Sequence, residues 1–266
     1  MTAYLDRPGG RIAYDDTGGD GQLAVLVPGM GDTRVSFRFF APALAAAGYR
    51  VVTMDLRGAG ESDATFDSYT PEDMGDDLVA LLAELDAGPA LVVGASIAAA
   101  AAVWAAAEAP ERVAALVLLR AYPPGVPIPL AQRVLGAILL AGPWAAAGWS
   151  LAFKSFFPSR PPADLDAYRA RLRAMLREPG RVAALRAMAA ASKDAANARM
   201  AEVTQPTLVV LGAADVGDPA ADARAVADAI GGEVALIPGA GHYPHVEHPQ
   251  ETLEAVLAFA RRRVHA

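Results

Sequence analysis

Cysteine is absent from this chain of 266 residues. Its absence excludes disulfides, thiolate metal sites and thiol nucleophiles together. Basic runs are missing too, apart from a terminal Arg261-Arg262-Arg263, and the net charge is −7, so nucleic acid is not an expected partner. No apolar leader opens the chain: "MTAYLDRPGGRIAYDD" has no hydrophobic core, which makes the cytoplasm the default expectation. Histidine is scarce, with four in the chain and three of them between positions 242 and 248. What the chain does have is apolar bulk. At 54% hydrophobic and 20% charged residues it is too apolar for disorder and long enough for one large α/β domain carrying an insertion.

One uncharged stretch needs separate treatment. Val134 to Phe153, "VLGAILLAGPWAAAGWSLAF", is twenty residues long, the length of a membrane span. Gly142-Pro143 interrupts its middle, and alanine and glycine fill nearly half of it. The stretch therefore reads as a buried or pocket-lining helix pair, with contact at a membrane surface as the competing reading.

Strand-like runs recur along the chain with helical stretches between them, the pattern of a mostly parallel, doubly wound sheet covered on both faces. "AYL" and "RIAYDD" flank the turn "DRPGG" and read as an antiparallel hairpin. "LAVLVPG", "RVVTMDLRG", "ALVVG" and "VAALVLLR" follow as strands, with the helix "PEDMGDDLVALLAELDAG" among them. The rhythm breaks between Ala121 and Ala201, where proline-rich joints and helices stand. There Leu165, Tyr168, Leu172, Met175 and Leu176 make one apolar stripe. It resumes with "PTLVVLG", a helix, the strand "EVALIPG" and a last helix opening at Pro249. Residues 1–121 and 202–266 thus form the expected sheet core, and residues 122–201 a helical insertion.

In an open parallel sheet, ligands collect outside the carboxyl ends of the strands. Ser96 follows one such strand in "LVVGASIA", between the small residues Gly94 and Ala98. A strained strand-to-helix turn that presents a nucleophile needs small neighbours, whereas a serine that merely caps a helix does not. Asp215 follows a second strand in "TLVVLGAAD", where a turn or helix cap is the plain alternative. His242 follows the last strand in "GAGHYPHVEHP". His242, His245 and His248 invite a metal site, but Pro244 and Pro249 prevent the helix that would gather that spacing onto one face. No metal and no cofactor are expected.

Serine, then acid, then histidine at three strand ends is the chain order of the α/β-hydrolase triad. A fourth strand end, "LVPGMGD", puts backbone N–H groups at Met30 where, with that of Ile97, they can face a developing oxyanion. "GMGDTR" and "GAGESD" lack the third glycine of a dinucleotide fingerprint, and no Gly-Lys follows as in a P-loop.

With "LVPGMGD", "VVTMDLRGAGESD", "LVVGASIA", "TLVVLGAAD" and "GAGHYPHVEHP", the chain resembles the α/β-hydrolase superfamily over nearly its whole length, specifically its capped, serine esterase-like members. The family usually has His-Gly at Pro28-Gly29, "GHG" at Gly58–Gly60, a polar residue at Ala95 and glycine at Ala98. None of these departures removes a triad side chain or a backbone donor. The resemblance implies an eight-stranded-type sheet with residues 122–201 as a helical cap. It implies Ser96 as nucleophile, His242 as base and acid, Asp215 as the orienting acid, and Met30 and Ile97 as the oxyanion hole. Where some members carry the acid one strand earlier, this chain has Arg120 in "LLRAYPPG", which leaves Asp215 as the acid. A serine nucleophile argues against haloalkane and epoxide substrates, which need aspartate there.

The expected function is hydrolysis of a carboxylic ester of a small apolar molecule. C–C bond, lactone and thioester hydrolysis and cofactor-free perhydrolysis are alternatives on the same triad, and a non-catalytic binding protein is the answer from a different class. Trp144, Trp149, Leu140 and Arg120 are the expected pocket residues, Arg120 being the one that would favour a substrate bearing a carboxylate.

Overall fold

A computed structural model describes residues 2–126 and 130–263. Eight strands form one sheet: β1 (Thr2–Arg7), β2 (Gly10–Asp16), β3 (Leu23–Val27), β4 (Arg50–Met54), β5 (Ala90–Ala95), β6 (Val113–Leu119), β7 (Thr207–Gly212) and β8 (Glu233–Ile237). Their order across the sheet is β1-β2-β4-β3-β5-β6-β7-β8. β2 runs antiparallel to both β1 and β4; from β4 to β8 every pairing is parallel.

Helices α1 (Phe40–Ala46), α2 (Pro71–Leu85) and α3 (Ile97–Glu108) connect the first strands. After β6 come α4 (Leu130–Leu139), α5 (Ala145–Lys154), α6 (Leu165–Met175), α7 (Arg181–Ala190) and α8 (Asp194–Ala198). Then α9 (Pro219–Ile230), α10 (Pro244–Glu247) and α11 (Pro249–Arg263) complete the chain.

The central strands are apolar on both faces because helices cover both. Every residue of β3, β5 and β7 is buried. One core lies between the sheet and α2, α3 and α9; the other lies against α1 and α11. Alanine allows the closeness of α3: nine of its residues are buried, and α2 approaches so near that a Cβ on Gly75 would stand 2.4 Å from the Trp104 ring. The start of α2 is fixed locally by a capping box between Thr70 and Asp73, with Pro71 at the first helical position.

The stretch between β6 and β7 is helical among the described residues, and it has a core of its own. Leu140, Trp149, Phe153, Leu172 and Leu185 pack there with Tyr243 and Val246, which belong to the loop and helix after β8. The predicted stripe on α6 is buried at all five positions. The uncharged stretch from Val134 to Phe153 is divided rather than buried throughout: Leu140, Trp149 and Phe153 point inward, while Val134, Leu135, Ile138, Trp144 and Leu151 are exposed. No helix among the described residues is long and apolar enough to cross a membrane.

Candidate active site

Ser96 sits where β5 turns into α3, with φ 55° and ψ −115°. A non-glycine residue there is strained, and surrounding structure must hold it. Two backbone bonds do so: Ser96 N–H donates to Leu119 O at 2.8 Å, and Ala99 N–H donates to Ser96 O at 3.0 Å. The turn is so tight that a Cβ on Gly94 would lie 2.3 Å from Ala98 O, which explains the small residues on both sides. The Ser96 side chain makes no capping bond to α3. The Tyr122 phenol interacts with the Ser96 hydroxyl, and burial pushes the phenol up, so it stays protonated.

The loop after β3 closes on this turn. A Cβ on Gly29 would stand 3.3 Å from Ser96 Cβ, which brings the Gly29-Met30 segment directly beside the serine. Ile97, the first residue of α3, has an N–H without an intrahelical acceptor. The two expected oxyanion donors therefore belong to segments flanking Ser96. Deeper in the core, Asp55 and Ser62 are buried and bind backbone: Asp55 accepts from Arg34 N–H at 2.7 Å and Glu61 N–H at 2.9 Å, and Ser62 Oγ accepts from Ala13 N–H at 2.9 Å.

Asp215 and His242 meet: Asp215 Oδ2 lies 3.3 Å from His242 Nδ1. Burial pushes the Asp215 carboxyl up, but the hydrogen bond and charge of His242 and the charge of Arg120 outweigh it and hold it below the usual carboxylate range. Asp218, three residues on, caps α9 instead, accepting from Ala221 N–H at 3.0 Å.

The helical insertion holds the histidine loop. His242 N–H donates to Phe156 O at 3.2 Å, and the Phe156 ring stacks on the imidazole with centroids 4.7 Å apart. Glu247, buried on α10, accepts from Ser159 N–H and Arg160 N–H, each at 3.2 Å, and also from Gly241 N–H, the residue before the histidine. The three clustered histidines diverge. His245 packs on Phe37 and His248 pairs with Glu251, and no group of metal-binding side chains forms among the described residues.

Trp149 and Leu140 line a cavity of about 480 Å³ together with Met30, Leu139, Ala152 and Arg186. Trp149 Nε1 donates to Gly31 O at 2.9 Å and so ties the cavity wall to the loop beside Ser96. Trp144 and Arg120 do not line it. Trp144 is 55% exposed on the outer side of the α4–α5 joint. Arg120 is 6% exposed and pairs with Asp215, just beyond the end of β7. Tyr122, Phe156 and Arg186 were not among the expected residues. Tyr122 carried a weak signal, standing directly beyond a strand end; the other two depend on how the insertion folds back.

Residues 24–249 match the α/β-hydrolase fold family. The acetyltransferase component of an acetoin cleaving system from Pseudomonas putida is 33% identical, over 96% of this chain and 68% of its own length. Among solved structures, a bromoperoxidase from Bacillus anthracis superposes with a TM-score of 0.85 at 24% identity, over 98% of this chain and all of the other, a likeness of fold. Est816, described as an N-acyl homoserine lactone degrading enzyme, superposes with a TM-score of 0.74 at 26% identity, over 97% of this chain and 100% of its own. The chain belongs to the α/β-hydrolase family.

Proposed function

We propose that this protein is a serine hydrolase that cleaves a carboxylic ester of a small apolar molecule through an acyl-enzyme on Ser96. The observation that carries the reading is Ser96 itself: a strained turn at the end of β5 whose hydroxyl is not spent on capping. The Asp215–His242 contact of 3.3 Å supports it, since an imidazole oriented by a carboxylate is the base such a serine needs.

In this mechanism Ser96 Oγ attacks the acyl carbon while His242 takes the hydroxyl proton. The oxyanion receives hydrogen bonds from the Met30 and Ile97 N–H groups. The intermediate collapses, the C–O bond to the alcohol breaks, and His242 returns the proton to the departing oxygen. Water then attacks the acyl-enzyme by the same route and frees the acid. Asp215 keeps the imidazole in one tautomer and supports its charge. Residues 122–201 act as a cap whose inner face walls the acyl pocket, and the largely apolar lining of the cavity supports an apolar acyl chain.

The experiment is labelling by a fluorophosphonate together with hydrolysis of nitrophenyl esters from acetate to decanoate. Wild type should take one label per chain. Ser96→Ala should take none and lose on the order of 10³-fold or more in turnover while remaining folded. Each buried methylene should raise specificity roughly fourfold until the cavity is full. Label on Ser96→Ala would refute the nucleophile, and a maximum at acetate would refute the apolar pocket. Labelling with turnover confined to thioesters or lactones would move the bond class but not the triad. No label and no turnover would indicate a binding protein on this fold.

A further inference from the structure

Arg120 is not explained by the triad as described. It stands at φ 52°, in the left-handed region sparsely populated by non-glycine residues, with its N–H pinned to Val210 O at 2.9 Å. Its Nε donates to Asp215 Oδ2, the same oxygen that lies 3.3 Å from His242 Nδ1. Its Nη1 is 3.6 Å from Asp222 Oδ2 on α9, without a hydrogen bond. The guanidinium lies 4.7 Å from the centre of the Tyr122 ring, whose phenol interacts with Ser96. One buried cation therefore touches both the acid and the phenol next to the serine.

We propose that Arg120 is a positioning residue that divides Asp215 with His242 and thereby extends activity toward acid pH. This rests on the reading of Ser96, His242 and Asp215 as an acyl-transfer triad. In a triad where the carboxylate serves the imidazole alone, a resting imidazolium is stabilised by the full negative charge. A guanidinium is permanently charged and binds a carboxylate with fixed geometry. Here both cationic partners share one carboxylate oxygen. An imidazolium forming at His242 meets a carboxylate already partly neutralised, with a like charge behind it. Removing the guanidinium would leave the whole carboxylate charge to an imidazolium forming there.

Other groups face this cluster from each side. Asp222 on α9 offsets part of the Arg120 charge, and Val216 N–H donates to Asp215 Oδ1 at 2.8 Å. Lys193 lies 5.2 Å from the Tyr122 ring centre. On the histidine side stand Phe156 and Tyr243, whose ring centroids are 4.7 and 5.4 Å from the imidazole, and His245, which burial pushes down to about 3. Asp222 gives the inference a second handle of opposite sign. Removing Arg120 removes the competing cation, whereas removing Asp222 leaves that cation less compensated.

The test is the pH dependence of kcat/KM on a chemistry-limited nitrophenyl ester, for wild type, Arg120→Lys, Arg120→Gln and Asp222→Asn. Concentrations are taken from fluorophosphonate titration, so that only competent sites are counted. Arg120→Gln should move the acid limb up by about one pH unit, the order expected for a like charge one side chain away in a partly buried site. Arg120→Lys should stay close to wild type. Asp222→Asn should move the limb down by a fraction of a unit. It is 28% exposed, so it carries the test by itself if Arg120→Gln fails to fold. Superimposable acid limbs, or shifts of the same sign in Arg120→Gln and Asp222→Asn, would show that Arg120 only ties β6 to its neighbours and would overturn the proposal. Wild type that takes no label would overturn the triad reading, and this inference with it.

Discussion

His245 should be an acid-sensitive weak point, and His245→Leu should remove it. The ring is buried beside the site, with centroids 4.8 Å from Phe37 and 5.5 Å from Tyr243. Neither ring nitrogen has a hydrogen-bond partner among the described residues. Burial, with the charges of Arg38 and His242 adding to it, pushes the imidazole down to about 3. In the unfolded chain a histidine takes up its proton at about 6.5. Between those values the unfolded state binds the extra proton and the folded state does not, so stability falls as pH falls from about 6.5 toward 3. Each unit in that window costs about 1.4 kcal/mol, and by pH 4.5 the loss is about 2.7 kcal/mol. Leucine titrates nowhere, so His245→Leu should lack this slope. Near pH 7.5 the two proteins should be almost equal. There the variant sheds two unpartnered buried nitrogens, worth about 1–3 kcal/mol, but forfeits ring contacts worth about 0.5–1.5 kcal/mol. Urea unfolding at pH 7.5, 6.5, 5.5 and 4.5 measures the difference directly. A variant-minus-wild-type stability that does not change across this range would refute the reasoning.

The neighbouring carboxyl should slope the other way. Asp32 is fully buried, its Oδ1 accepts from Thr33 N–H at 2.8 Å and from the Tyr168 hydroxyl, and burial pushes it up to about 7. The folded state then holds a proton that the unfolded state releases near 4, so the stability it contributes is lost as pH rises from about 4 to 7, by about 4 kcal/mol in all. Asp32→Asn should gain on wild type over that window by the same unfolding assay, and a gain that is flat with pH would contradict the burial argument. At the active site, Asp215→Asn should cost on the order of 10²- to 10⁴-fold in kcat with KM little changed. Asp218→Asn should cost little, because asparagine caps a helix as well as aspartate does. The reverse ranking in steady-state kinetics would mean that the wrong carboxylate orients His242.

Much of the sheet could be read along the chain. Strands whose residues are all buried, such as "LAVLV" and "TLVVLG", advertise themselves as short apolar runs, and the hairpin from Thr2 to Asp16 is punctuated by its own turn. Gly94 and Ala98 made the strained turn at Ser96 legible, because the closeness of Gly94 Cβ to Ala98 O, 2.3 Å, is set within five residues of chain. Asp215 and His242 could be nominated because each stands on the short loop that follows its strand.

The sequence by itself determined what neighbouring residues decide: which runs are strands, which turn is strained, and which side chains stand at strand ends. Burial and direction belong to the tertiary structure. Arg120 looked like a cation at a pocket mouth, and only the pairing of β6 with β7 brought it to Asp215. Trp144 and Trp149 are five residues apart in one uncharged stretch, yet one is exposed and the other donates to Gly31 O. Their difference depends on how the insertion lies over the sheet, which no local pattern specifies. Phe156 on His242 and Tyr122 on Ser96 are contacts of the same kind. Their partners are 86 and 26 residues away along the chain, and such pairs exist only once the sheet has brought its strand ends together.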